Sequence, residues 1–310
     1  MAKQTTDCIL MVRPGNFRAN EQTAVNNYFQ HSSNASKEIY QIAQAEFDQA
    51  VACLQQIGVQ VIVLQDEGTW DTPDSLFPNN VISFHGDTAI LYPMFAHNRR
   101  QEIFLNHLET LAKHDLSFKT VKDYSEYAAQ GMYLEGTGVL ILDRQHQIAY
   151  VSLSQRASEK MVHMFCHGNG YLPILFQATQ EVQGTRKPIY HTNVMMALGT
   201  SFCVICLKSI QNQSEQELVL HALKQTDKTI IEISEVQMEH FCGNILELRN
   251  NNNESFIVMS EQAYLAFEPQ QLTELERFGR IIHSPLYTIE KYGGGSMRCM
   301  IAEVFASSAQ

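Results

Sequence analysis

A chain of 310 residues with 45% hydrophobic and 18% charged residues is long enough to bury a substantial core and too apolar to be a disordered protein. Its formal net charge of −11, with no basic block to offset it, excludes a nucleic-acid partner. No apolar run approaches the ~18 residues of a membrane span, and no charged start precedes an apolar stretch, so a soluble cytoplasmic protein without a signal peptide is expected.

The seven cysteines are odd in number and spread over the whole length, the pattern of free thiols in a reducing compartment. Cys203 and Cys206 form a C-x-x-C inside the apolar run from Ser201 to Leu207, with no second pair nearby. They read as small buried hydrophobes, and neither a metal nor a cofactor is expected.

In chain order, Cys8 to Val12 predicts a strand that ends at the turn Arg13-Pro14-Gly15. Lys37 to Ile57 carries Ile39, Ile42, Ala43, Phe47, Val51 and Leu54 at helical spacing and stops at Gly58. Val59 to Leu64 is then a strand, and Val81 to Phe84 with Thr88 to Tyr92 a hairpin around His85-Gly86-Asp87. A helix from Asn98 to Lys113 and a strand near Phe118 to Val121 complete that unit. The order recurs. Val139 to Leu142 and Ile148 to Val151 precede a helix (Ser158 to His167) and a strand (Leu172 to Phe176). Val194 to Leu198 and Phe202 to Leu207 precede a helix (Glu215 to Gln225) and a strand (Thr229 to Ile233). Ile245 to Leu248 and Phe256 to Met259 precede a helix from Glu261 and a strand at Arg280 to His283. The unit strand–strand–helix–strand returns at roughly 50 to 60 residues, although residue identities do not repeat. With no Pro- or Gly-rich linker, the expectation is one α/β propeller-like domain over residues 1–310, not a doubly wound sheet.

The C-terminal stretch Lys291-Tyr292-Gly293-Gly294-Gly295-Ser296-Met297-Arg298-Cys299 places a thiol after three glycines and before an apolar run, Met300 to Phe305, that reads as a strand. It is either a nucleophile delivered by a loop or a core cysteine after an ordinary turn. Four further segments put polar groups at strand ends: Pro73 to Asn80, Leu134-Glu135-Gly136-Thr137-Gly138, Leu153-Ser154-Gln155-Arg156 and Tyr190-His191-Thr192-Asn193. Together with Cys299 they supply a thiol, an imidazole, carboxylates, a guanidinium and amides. A thiolate with a histidine is the minimum for covalent attack at an electrophilic carbon, and a carboxylate fixes the imidazole tautomer. Each has an ordinary reading as well, as a turn residue, a solvated acid or one histidine among 12.

The joint order of Phe77-Pro78-Asn79-Asn80, Leu134 to Gly138, Tyr190 to Asn193 and Gly293 to Cys299 resembles the guanidino-group-modifying (pentein) superfamily, and most of all its amidinotransferase-like and citrulline utilisation hydrolase members. The resemblance runs from Met11 to Phe305 and also takes in dimethylarginine dimethylaminohydrolases and arginine deiminases. It implies a five-bladed ββαβ α/β-propeller with pseudo-fivefold symmetry. By position it implies Cys299 as nucleophile, His191 as general acid/base and Glu135 as the carboxylate that orients the histidine. It further implies Asp74 for a substrate α-ammonium, Arg156 for the α-carboxylate and Arg99 near that end. Relatives that act on guanidinium carry acids at the positions of Asn79 and Asn80, and deiminases one at Asn193; this chain has asparagine at all three.

A neutral ureido group suits amides better than carboxylates, so the expected reaction is hydrolysis of citrulline to ornithine, ammonia and carbon dioxide through an S-carbamoyl enzyme. The alternatives are an arginine or methylarginine hydrolase or an amidinotransferase acting through a thiouronium, and a non-catalytic amino-acid-binding protein. The expected partner is a small amino acid, with a homodimer left open.

Overall fold

A computed structural model describes residues 3–31 and 37–306. The first strand, β1 (Cys8–Arg13), is buried over nearly its whole length. Helix α1 (Lys37–Gln56) carries the chain to β2 (Gln60–Gln65), which pairs parallel to β1, since parallel neighbours need a crossover. Ala43, Phe47, Val51 and Leu54 turn α1 towards the core, whereas Ile42 faces outwards with 43% exposure.

Strands β3 (Ile82–His85) and β4 (Thr88–Leu91) form the expected antiparallel hairpin. The helix expected over 98–113 is instead divided into a 3-10 stretch, Arg99–Phe104, and the short α2 (His107–Ala112). A 3-10 turn eclipses residues three apart, which brings Glu102 against Arg99 in a buried two-pronged ion pair. Strand β5 (Thr120–Asp123) follows, parallel to β4.

The next unit is α3 (Gly136–Val139), β6 (Ile141–Asp143), β7 (Ile148–Ser152), α4 (Glu159–Asn169) and β8 (Leu172–Phe176). A further hairpin follows that the sequence reading omits, β9 (Thr179–Val182) and β10 (Thr185–Pro188). Its strands are polar, so no apolar alternation marks them; Gln183 and Gly184, at φ 51° and 75°, make the two-residue turn. Then come β11 (Met196–Leu198), β12 (Phe202–Ile205), α5 (Gln213–Gln225) and β13 (Thr229–Glu232), followed by α6 (Glu235–Glu239). The last full unit is β14 (Leu246–Arg249), β15 (Ser255–Ser260), α7 (Glu261–Ala266), α8 (Pro269–Glu276) and β16 (Arg280–Ser284).

The C-terminal stretch departs from its expected form. Gly293 does not belong to a free loop but ends helix α9 (Tyr287–Gly293), and Gly294 caps that helix at φ 65°. Of the strand expected over 300–305 only β17 (Ala302–Glu303) forms, antiparallel to β1. The cause is a hydrogen-bonded turn at Cys299, whose N–H, like that of Met300, donates to the Ser296 carbonyl.

Five three-stranded sheets therefore share one plan: the middle strand is antiparallel to one neighbour and parallel to the other. The middle strands β1, β7, β12 and β15 are buried along almost their full length, and their near-continuous apolar runs reflect cover on both faces. This is a mixed α/β fold. Among the described residues no helix is long and apolar enough to cross a membrane. Cys203 and Cys206 are both buried, and Cys203 lies within β12.

Candidate active site

Six of the polar residues singled out above stand on turns that lead into an edge strand of a sheet. Asn79 and Asn80 precede β3, Glu135 precedes β6, His191 and Asn193 precede β11, and Cys299 precedes β17. Because these strands start at one end of the molecule, side chains more than 200 residues apart meet there. Asp74, Asn80, Arg99, Arg156, His191 and Cys299 line one small cavity together with Tyr190 and the glycine run. It measures about 10 Å³, room for no more than one water.

The thiol is held by amides. Asn193 Nδ2 donates to Cys299 Sγ at 3.4 Å, and Asn244 Nδ2 does so at 3.2 Å. Asn244 also accepts the Cys299 backbone N–H at 3.3 Å and donates to the Asn193 carbonyl at 3.0 Å. It thus ties the turn of Cys299 to the turn of His191.

Glu135 is fully buried. Its Oε2 meets His191 Nε2 at 2.7 Å and Arg156 Nη1 at 3.4 Å, with Arg99 Nη1 at 4.0 Å; its Oε1 accepts the Phe95 N–H at 2.9 Å. Burial alone would raise the Glu135 carboxyl, but Arg156, His191 and Arg99 together outweigh it and hold the group well below the usual range. Burial is also the largest influence on His191 and pushes the imidazole down to about 4 against the pull of Glu135, so the ring is neutral at pH 7. Gly136 holds the turn close to its neighbour: at φ 46°, a Cβ there would run into the Asn79 carbonyl oxygen.

Asp74 is buried and accepts hydrogen bonds at Oδ2 from Asn20 Nδ2 (2.8 Å) and Thr23 Oγ1 (3.2 Å), while Oδ1 has no partner among the described residues. Burial raises its pKa, with Arg99 opposing. Arg156 is clamped by the Asn26 side chain and the Thr23 carbonyl and lies 4.7 Å from the Tyr190 ring centre. Arg99 is committed to Glu102 through Nε–Oε1 (2.7 Å) and Nη2–Oε2 (2.9 Å), and its Nη1 donates to Asn80 Oδ1 at 2.8 Å.

Six of the nine residues named from the sequence line the cavity, and Glu135 and Asn193 stand behind it on His191 and Cys299. Asn79 is the exception: its Nδ2 donates to Thr137 Oγ1 (3.3 Å), its Oδ1 accepts from Asn80 Nδ2 (3.1 Å), and it does not line the cavity. The sequence reading missed Asn244, Asn26, Glu102 and the Asn20–Thr23 pair. Among the described residues no cluster of His, Cys, Asp and Glu has the arrangement of a metal site.

Residues 13–306 match the sequence model of the family described as N,N dimethylarginine dimethylhydrolase, eukaryotic.

The chain belongs to this family.

It thereby falls within the guanidino-modifying pentein superfamily, in a family of hydrolases acting on C–N bonds. Solved structures agree on the fold. The N-terminal domain of ArgZ, an arginine dihydrolase from the ornithine-ammonia cycle in cyanobacteria, superposes with a TM-score of 0.73 at 13% identity, over 97% of this chain and 99% of that one. Unliganded AgrE gives a TM-score of 0.72 at 15% identity over 98% of this chain, which spans 40% of AgrE. A dimethylarginine dimethylaminohydrolase, solved as an adduct with S-methyl-L-thiocitrulline, gives 0.64 at 16% identity, over 96% of this chain and 99% of that one. The chain thus spans about two fifths of full-length ArgZ and AgrE. No curated protein matches it by sequence.

Proposed function

We propose that this dimethylarginine dimethylhydrolase family member hydrolyses the bond between the ureido carbon and the side-chain δ nitrogen of citrulline, to give ornithine. The observation that carries this reading is the set of amides around the thiol. Asn193 and Asn244 face Cys299 Sγ, Asn80 lines the cavity, and Asp74 is the only acid among the described lining residues. A guanidinium would leave its charge without a buried carboxylate at the reacting carbon, whereas a ureido group offers one carbonyl and N–H donors that amides can match.

In this reading neutral His191 takes the Cys299 proton as sulfur attacks the ureido carbon. It returns the proton to the departing ornithine nitrogen as the C–N bond breaks, leaving an S-carbamoyl enzyme. It then deprotonates the water that displaces the sulfur, releasing carbamate, which decomposes to ammonia and carbon dioxide. Glu135 fixes the ring by its 2.7 Å contact and stabilises the imidazolium. Asp74, with its unpartnered Oδ1, takes the α-ammonium, and Arg156 the α-carboxylate. Arg99, already paired with Glu102, holds Asn80 in place. The five three-stranded sheets are then the blades of a propeller, and residues 1–310 form one catalytic domain.

A second reading is favoured by the family match: hydrolysis of dimethylarginine or arginine through a thiouronium. Incubation of the purified protein and Cys299→Ala with citrulline, arginine and N-methylated arginines separates the two. Ornithine and carbon dioxide from citrulline, absent with the variant, support the first. Citrulline formed from a guanidino substrate establishes the second.

A further inference from the structure

A large cavity lies at the other end of the same strands. β3, β6 and β14 start beside Asn80, Glu135 and Asn244 and finish at His85, Asp143 and Arg249, while Phe305 follows β17. Four residues of strand, as in β3 and β14, carry the backbone roughly 13 Å away from the site. The cavity there measures about 650 Å³, against about 10 Å³ beside Cys299, and falls in the size range of small-molecule sites.

Its lining is cationic in an acidic protein. Lys3, Arg144 and Arg249 face it, with Asp7 the only carboxylate among the described lining residues, although the sequence holds 33 acidic residues against 22 Lys and Arg. Neither Arg144 nor Arg249 has a carboxylate partner among the described residues, whereas Arg13, Arg99, Arg156, Arg186 and Arg298 each have one. Arg144 is 6% exposed and its guanidinium lies 3.9 Å from the centre of the Phe305 ring, with Nη1 3.1 Å from His85 Nδ1 and the Tyr171 hydroxyl as a further partner. His85 is held neutral by burial and by Arg144 and Lys122, so it accepts from Arg144 without balancing the charge. Arg249 spends Nη1 on Asn253 Oδ1 (2.8 Å), and its Nε is buried without a partner among the described residues. A buried guanidinium stacked on a ring and left without a counter-ion is a strong oxyanion donor.

We infer that this cavity binds a small oxyanion ligand, a phosphorylated or carboxylate-bearing molecule, at a site separate from the one beside Cys299, with Arg144 and Arg249 as its principal donors. Apolar Leu116, Val304 and Phe305 in the lining leave room for a hydrophobic portion. The test is calorimetric titration of the full-length protein with pyrophosphate and with citrate, at ionic strength held constant with chloride. Saturable binding of either probe is expected, and which one binds tells phosphate from carboxylate chemistry. Half-exposed Arg249 carries the decisive variant, because Arg144→Gln disturbs a buried cluster and with it the fold: Arg249→Gln should weaken binding about tenfold or more, with part restored by Arg249→Lys. An excess of arginine or citrulline should leave the binding unchanged. The inference is overturned if neither probe binds at ~10 mM, if Arg249→Gln binds as tightly as wild type, or if those amino acids displace the probe.

Discussion

Asn244 grips Cys299 at two points, donating from Nδ2 to Sγ at 3.2 Å and accepting the backbone N–H at Oδ1 at 3.3 Å. A thiolate in a buried site needs donors, because desolvation penalises its charge and no cationic side chain hydrogen-bonds this sulfur among the described residues. Asn244→Ala removes one of two amide donors and frees the turn. We expect kcat to fall about 10- to 100-fold and iodoacetamide to label Cys299 more slowly at neutral pH. Single-turnover assays and mass spectrometry of the labelled cysteine read the two effects. Unchanged labelling would confine Asn244 to a structural role.

Glu135→Gln tests the opposite side of the cavity. The carboxylate is the only acidic partner of Arg156 among the described residues and also contacts His191. Gln would leave a buried guanidinium without its counter-charge, a loss of about 3–5 kcal/mol measurable by urea unfolding at pH 7. The sign with pH follows from the depressed Glu135 carboxyl. Its contribution is complete above the usual carboxylate range and is lost as pH falls towards the folded-state value. Glu135→Gln should therefore narrow its deficit against wild type on acidification. A variant of wild-type stability with wild-type turnover would refute both roles.

Much of this architecture was readable because apolar spacing is a local property. β1, β8 and the β3–β4 hairpin lie where alternation and turn residues put them. The divided segment over 98–113 was not readable, because a buried Arg99–Glu102 pair overrides helical propensity. Polar β9 and β10 carry no apolar pattern at all. The site was legible mainly through the family resemblance, but one missed signal lies in the sequence itself. Asn80-Val81-Ile82, Asn193-Val194-Met195 and Asn244-Ile245-Leu246 repeat a short motif at the entrance to β3, β11 and β14, and Cys299-Met300-Ile301 has the same place before β17. In the unit of β6 that place falls to Gly138, where a Cβ would press on the Asn80 amide and the His191 ring. Asn244 was therefore readable as the equivalent of Asn80 and Asn193. Asn26 and the Asn20–Thr23 pair belong to no repeat, and only folding brings them to Arg156 and Asp74.

His107 predicts a pH effect away from the site. Burial pushes it down from the usual 6.5 to about 4, and its Nε2 has no partner among the described residues. As pH falls below 6.5 the unfolded protein takes up a proton that the folded ring refuses, so stability is lost between about 6.5 and about 4. The full effect is about 3 kcal/mol. Burial lifts Glu290 to about 7, which acts in the opposite sense, so the comparison must be between variants and not along one curve. His107→Leu, unfolded in urea at pH 7 and pH 4.5, should lose less stability on acidification than wild type does. Parallel curves would show that His107 takes up its proton in the folded protein over the same range as in the unfolded one, and so that burial does not depress it.

Asn193→Asp asks whether the amides choose the substrate. Asn193 Nδ2 donates to Sγ at 3.4 Å while its Oδ1 is buried without a partner among the described residues, so the side chain is already directed at the reacting atoms. A carboxylate here would repel the thiolate and, with citrulline bound, would have no positive charge to answer it. With arginine bound it would face the guanidinium, where a charge-assisted hydrogen bond contributes about 1.5–3 kcal/mol. The variant should therefore lose kcat/KM for citrulline, and the ratio of arginine to citrulline should rise at least about tenfold. Measuring kcat/KM for both amino acids with wild type and variant decides it. An unchanged ratio would mean that the amides do not set the choice between ureido and guanidino substrates, and the selectivity would have to come from the amino-acid end at Asp74 and Arg156.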